Sequence, residues 1–307
     1  MISAFAPATV ANLSCGFDVL GLAIEHVGDE VRVQKNDLNQ VRMAQITGDN
    51  GKLPLVAADN TAGAAVIALL QSLGSSQGID IVLHKKMPLG SGLGSSAASA
   101  VAAAVAANAL MGNPFSKHDL LPFVLAGEKV ASGTAHGDNV FPSLLGGIVL
   151  IRSYHPLDVV QLPAPSTLSI VVVHPDVEIL TKEARNILPQ QISMKDGIAQ
   201  TANLAGLVAG LYSNDFELIG RSLHDSFAEP YRSPLIPEFD RCRKAALYGG
   251  AIGFGISGSG PSMYALCDSQ ARGKQIAELI TKVLQSKNIS HQTFLSKINT
   301  KGAYVMD

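Results

Sequence analysis

Residues 88–96 read Pro88-Leu89-Gly90-Ser91-Gly92-Leu93-Gly94-Ser95-Ser96 and run directly into an alanine-rich stretch that begins Ala97-Ala98. Glycines at alternate positions let a backbone turn tightly and approach a ligand without Cβ clashes. Ser95 and Ser96, with Ala97 and Ala98 completing the first turn, stand where a helix opens, so unpaired N–H groups and the positive dipole end face the loop. Such a cradle suits the triphosphate of ATP, and a serine hydroxyl there can hold a divalent cation. A Walker A loop is absent, since the Gly-Lys pairs are followed by Leu53 and Gln275, not by Ser or Thr. Gly253-Phe254-Gly255-Ile256-Ser257-Gly258 matches a dinucleotide fingerprint in letters, but Pro261 and a strand pattern follow it where a helix is required. The plain alternative for residues 88–96 is a Gly/Ser turn before a helix.

The loop resembles the nucleotide loop of the GHMP kinases, whose pattern is Pro-x-Gly-x-Gly-Leu-Gly-Ser-Ser. Two further stretches are similar to that family's other motifs: Asn12-Leu13-Ser14-Cys15-Gly16-Phe17-Asp18 and Gly255-Ile256-Ser257-Gly258-Ser259-Gly260-Pro261-Ser262. The first departs from the common Asn-Leu-Gly-Pro-Gly-Phe-Asp at Ser14-Cys15, which leaves the shape of that turn open. Three intervening stretches resemble the homoserine-phosphorylating branch: Gly127-Glu128…Ser132-Gly133…His136-Gly137-Asp138-Asn139-Val140, Thr181-Lys182-Glu183-Ala184-Arg185, and Glu229-Pro230-Tyr231-Arg232.

The resemblance implies an ATP-dependent kinase with Mg²⁺ and an L-homoserine acceptor. It implies that Ser96 and Glu128 hold the metal, although Glu128 also reads as a solvated charge late in an apolar helix. Asn139 is implied at the acceptor hydroxyl, which an amide can orient but not deprotonate. Catalysis is therefore expected to rest on positioning, with Asp138 and His136 as the alternative bases. Arg185 and Arg232 are implied as a clamp for the substrate carboxylate, Asp18 as the partner of its ammonium, and Asn12 as a seat for the substrate. Asn60 reads either as the N-cap of a helix or as an adenine contact. Lys85 reads as a cation reaching ATP phosphates or as a solvated strand end. The rivals are a mevalonate, shikimate or sugar kinase; an RNA-binding protein; and a Ser96/His136/Asp138 hydrolase, which lacks the Gly-x-Ser-x-Gly elbow.

Positioning these groups requires elements of both periods. Glu30–Lys35 alternates as a half-buried strand does; Ile79–His84, Gly146–Arg152, Leu168–His174, Ala251–Ile256 and Met263–Cys267 also read as strands. Helices are expected at 60–73, 95–110, 117–131, 195–212, 215–227, 238–247 and 270–285, with one or two short strands closing the chain. The mixture favours α+β over a doubly wound parallel sheet. The resemblance adds a two-domain GHMP architecture, with a ribosomal-protein-S5-like α/β domain over 1–157 and a ferredoxin-like α+β domain over 158–307. Tyr154–Pro165, with its three prolines, is the expected junction.

The 307 residues carry a formal net charge of -2, 47% hydrophobic and 16% charged side chains, which suits a globular chain and speaks against nucleic-acid binding. Three dispersed cysteines, Cys15, Cys242 and Cys267, show neither metal spacing nor a disulfide framework. Ser99–Leu110 is too short to cross a bilayer, and no basic n-region opens the chain, so a cytoplasmic protein without membrane partners is expected. A homodimer is expected from the family alone.

Overall fold

The computed structural model describes residues 1–132 and 136–307; Gly133, in one of the motif stretches above, lies outside them. The chain begins β1 (Ile2–Ala11), β2 (Leu20–Asn36), β3 (Val41–Thr47), α1 (Thr61–Ser72), β4 (Gly78–His84) and α2 (Ser95–Leu110). It continues α3 (Leu121–Ser132), α4 (Gly137–Leu145), β5 (Ile148–Tyr154), β6 (Leu157–Leu162) and β7 (Ser169–Pro175). Then come α5 (Thr181–Asn186), α6 (Met194–Ser213), α7 (Phe216–Ser222), α8 (Glu229–Arg232) and α9 (Phe239–Tyr248). The last elements are β8 (Gly253–Ile256), β9 (Met263–Cys267), α10 (Gln270–Gln285), β10 (His291–Lys297) and β11 (Tyr304–Met306).

Among the described residues the strands form two sheets, so the expected α+β class is observed. The first runs β11-β1-β2-β4-β3, with β5 beside β2 and β6 beside β5; the second is the antiparallel β10-β7-β9-β8. β3 and β4 are the parallel pair of the first sheet. The chain leaves the first sheet at Leu162 and enters the second at Ser169. β11 returns to pair antiparallel with β1, Phe5 facing Tyr304.

α2 lies on β1 and β2 and is flanked by α1, α3 and α4. Ala97, Ala100, Ala103, Ala104 and Ala107 are fully buried. Methyl-sized side chains let neighbours approach from every side, which is why this helix has no polar face. Its start is fixed by the β4–α2 loop, which Thr9 of β1 reaches by donating its backbone N–H to Leu93 O at 3.0 Å. The core around α2 is continuous with Ile170, Val172, Leu207, Tyr264 and Leu266 of the second half. A smaller core joins α9 and α10 to β7, β8 and β9.

Several expectations are corrected. The helix expected at 215–227 ends at Ser222, because the Asp225 carboxylate accepts the N–H groups of Phe227 (2.7 Å) and Glu229 (2.9 Å) and opens α8 instead. The helix expected at 117–131 is a 3-10 turn, His118–Leu120, followed by α3. β1, β3, β6, α4 and α5 were not anticipated as elements. The strand at Glu30–Lys35 is the outer part of β2, whose inner part, Leu20–Ile24, is buried on both faces and so shows no alternation. No helix among the described residues is long and apolar enough to cross a membrane.

Candidate active site

A cavity of about 800 Å³, a size common for small-molecule sites, is lined by loop and helix residues from both halves of the chain. One wall is the β4–α2 loop. Gly92 and Gly94 take φ +76° and +67°, so both stand in the left-handed region. A Cβ on Gly92 would lie 2.4 Å from Ser257 O, and one on Gly94 would lie 2.1 Å from Thr9 Oγ1. Only glycine fits either place. The third motif braces the loop: Ser257 Oγ donates to Gly92 O at 2.6 Å, and Ser262 N to Ser91 O at 3.3 Å. Between β8 and β9 that motif makes a turn with no helix after it, so the dinucleotide fingerprint is coincidental.

Leu89, Gly90, Ser91, Gly92, Gly94, Ser95 and Ser96 line the cavity. Leu93, Ala97 and Ala98 are fully buried, so their side chains face the core and only their backbone bears on the loop; Pro88 does not line the cavity.

Ser96 Oγ donates to Glu128 Oε1 at 3.1 Å, from the first turn of α2 to α3. Glu128 is buried, not the solvated helix end that its sequence position also allowed. Burial pushes its carboxyl up to about 8, against the opposing Ser96 hydrogen bond. A hard cation would favour the ionised form, and a hydroxyl plus a carboxylate are the oxygen donors from which Mg²⁺ is held beside substrate phosphates. The pair therefore fits the metal. No group of three or more His, Cys, Asp and Glu side chains that could hold a metal ion assembles among the described residues.

α4 delivers Asp138 and Asn139. Asn139 Oδ1 accepts from Thr9 Oγ1 at 2.7 Å, which fixes the amide beside Gly94. Thr9, inside an apolar strand, carried no signal in the sequence. Asp138 is buried, and its Oδ1 finds no hydrogen-bond partner among the described residues. Burial, reinforced by the Asp18 charge, raises its carboxyl to about 7. His136 stands 3.8 Å from Asp18 Oδ1, and burial lowers its pKa despite that carboxylate. Ser96 is thus joined to Glu128, and no Ser96–His136–Asp138 relay forms.

Across the cavity a cluster of ionic groups gathers on the first motif. Arg185 Nη2 donates to Asp18 Oδ1 at 2.7 Å and Oδ2 at 2.9 Å. Arg232 is buried; its Nε donates to Ala184 O at 3.1 Å and its Nη1 to Gly258 O at 2.9 Å. Both guanidinium carbons lie over the Phe17 ring, at 5.6 and 5.4 Å from its centroid. Such cation–π contact holds two like charges side by side, and the ring was not singled out from the sequence. Asn12 Nδ2 donates to Gly258 O at 3.0 Å while its Oδ1 accepts the Asp18 N–H at 3.1 Å. At the family departure, Ser14 takes φ +57°, and its hydroxyl shares a 2.8 Å hydrogen bond with Tyr264. That bond holds a non-glycine residue in the left-handed conformation, so the turn closes without Gly-Pro.

Two expected nucleotide contacts serve the frame. Asn60 is the N-cap of α1: its Oδ1 accepts the Ala62 N–H at 3.0 Å, and its Nδ2 donates to Pro54 O at 2.9 Å. It nevertheless lines the cavity. Lys85 is buried, and its ammonium donates to the Asp29 carboxylate, to Ser95 O at 2.6 Å and to Ser99 Oγ at 2.9 Å. All three donors are taken, leaving none for a phosphate in this arrangement. Asp29, on β2, was invisible as a partner in the sequence.

Residues 60–147 match the family model for the GHMP kinases N terminal domain, and residues 207–285 that for GHMP kinases C terminal. A homoserine kinase of Chloroherpeton thalassium is 43% identical over 316 residues, 99% of this chain and 99% of its own. One from Xylella fastidiosa strain M12 is 40% identical over 303 residues, 99% of this chain and 93% of its own. The crystal structure of homoserine kinase from Cytophaga hutchinsonii superposes with a TM-score of 0.97 at 53% identity, over 99% of this chain and 97% of that one. A mevalonate kinase structure at 15% identity, with a TM-score of 0.73 over 98% of this chain and 100% of its own, shares the fold.

Proposed function

The chain belongs to the GHMP kinases, and we propose that it transfers the γ-phosphoryl group of ATP to the side-chain hydroxyl of L-homoserine, giving O-phospho-L-homoserine and ADP. One observation carries this reading: a single cavity holds an anion cradle on one wall and Asp18, Arg185 and Arg232 on the other. A neutral alcohol or a monoanion uses only part of that ionic set, whereas an amino acid uses all of it. In this reading the loop N–H groups bind the phosphates, and Asp18 and the two arginines grip the ammonium and carboxylate. Asn139, fixed by Thr9, orients the hydroxyl toward the phosphorus.

Ser96 and Glu128 would hold Mg²⁺, which when bound supplies neutralisation of the phosphate charge. The new O–P bond forms as the bond from phosphorus to the bridging oxygen of ADP breaks. The hydroxyl proton leaves late, to an oxygen of the transferred phosphoryl group, so no side-chain base is needed. Residues 1–157 and 158–307 are proposed as the two domains, and homodimeric assembly, a cytoplasmic setting and a place in threonine biosynthesis complete the proposal.

The test is ADP release with L-homoserine, mevalonate, shikimate and galactose as acceptors. L-Homoserine is expected to be turned over about 10–150-fold more efficiently than mevalonate or shikimate, which lack only the ammonium contact at about 1.5–3 kcal/mol, and at least about a hundredfold more efficiently than galactose, which lacks both charged contacts. Turnover of mevalonate without turnover of L-homoserine overturns the assignment.

A further inference from the structure

The phosphate loop lacks the lysine that other phosphate loops carry within their own sequence. Of the cations around the cavity, three are committed, while Lys182 of α5 is exposed at its edge and does not reach over the loop as the Lys52–Glu178 pair does. Lys85 is locked to Asp29, Ser95 and Ser99, and Arg185 and Arg232 are held at the Asp18 end. Lys52 is placed differently. It lines the cavity from the segment before α1, its side chain is about half exposed (57%), and its Nζ lies 3.3 Å from Glu178 Oε2. Glu178, also half exposed (49%), reaches over the loop itself: a Cβ on Gly90 would meet its Cγ at 3.1 Å and its Oε1 at 3.4 Å.

A carboxylate therefore stands at the rim of a cradle whose N–H groups and helix dipole attract negative charge. A polyphosphate entering that cradle meets repulsion from Glu178 and attraction from the ammonium one hydrogen-bond length away. Both side chains are long and solvated, so exchanging partners costs little beyond the weak surface pair itself.

We infer that Lys52 is a nucleotide-binding residue that gives up Glu178 for the phosphate chain when ATP enters, with Glu178 as its resting partner and the nucleotide's competitor. The inference rests on the ATP reading above and deepens it by naming a cation that the loop does not contain.

Lys52→Gln and Glu178→Gln break the same ion pair, so a pair that merely straps the two halves together would make both variants shift ATP affinity in one direction. Exchange requires opposite directions. Titration calorimetry with MgATP on the full chain should show Lys52→Gln weakening binding by about two- to fivefold and Glu178→Gln tightening it by a similar factor, the range of an exposed charge pair. Both shifts should shrink as salt is raised, and the L-homoserine KM should be unchanged in both. Shifts of the same sign, or none, while the unsubstituted chain binds MgATP, overturn the inference alone. Failure of the unsubstituted chain to bind MgATP overturns the functional reading and this inference with it.

Discussion

Arg232 shows how much one side chain does here: it tethers Ala184 and the third motif, lies on Phe17 and offers its charge to the cavity. Arg232→Ala should raise the L-homoserine KM by about 10–150-fold while the ATP KM moves little, as steady-state kinetics with each substrate varied would show. Equal shifts in both would mean that the residue serves only as a tether. Asp138 supplies a pH signature. Its folded pKa of about 7 lies above the ordinary carboxylate value of 3.8, so the folded state keeps a proton that the unfolded chain has released. The contribution of Asp138 to stability should therefore fall as pH rises from about 4 to about 7 and level off beyond. Urea denaturation at about pH 5 and about pH 8 should show a smaller decline for Asp138→Asn than for the parent. If kcat also rose through about pH 7, and that rise vanished in the variant, Asp138 and not positioning by Asn139 would carry the proton. The ionic residues were readable because their chemistry is written in their types. Thr9 and Phe17 were not, since an isolated Thr or Phe in an apolar stretch looks the same whether it orients an amide, bears two arginines or fills a core.

Among elements, α2 matters most, and its N-terminus is held by a buried ion pair. Lys85 spans from the end of β4 to the Ser95 carbonyl and to Asp29 on β2, so it clamps the phosphate loop from behind. Lys85→Met should cost about 3–5 kcal/mol in urea denaturation, because it strands the Asp29 carboxylate in the core. A change under about 1 kcal/mol would show the pair to be dispensable. The bounds of α2, β9 and α10 were legible because Gly, Ser and Cys-Asp breaks flank clean apolar periods. α4 was not, because it opens Gly-Asp-Asn and carries Pro142 inside, signals that ordinarily mark a turn. β1 was hidden by small residues and Pro7, and β6 by the prolines around it. The Asp29–Lys85 pairing depends on strand register across β2 and β4, which no local pattern encodes.

On the scale of the whole molecule, residues of both halves of the chain line the cavity, and one continuous core includes residues of both sheets. The intact chain should therefore unfold in a single transition. Far-ultraviolet circular dichroism should coincide with near-ultraviolet signals from the six tyrosines, among them Tyr154 in the first sheet and Tyr264 in the second, the chain having no tryptophan. Residues 1–162 and 163–307 expressed separately should each lack a cooperative transition; a sharp transition in either would show that half to be autonomous. The β1–β11 pairing carries this further. The strand that seals the flank of the first sheet is separated from its partner by nearly the entire sequence. While a ribosome still holds those late residues, β1 presents an unpaired edge to its surroundings. Nascent copies crowded on one messenger are accordingly most vulnerable to sticking to one another in that interval, and a chaperone that shields the opening strand would matter more than one that acts after release.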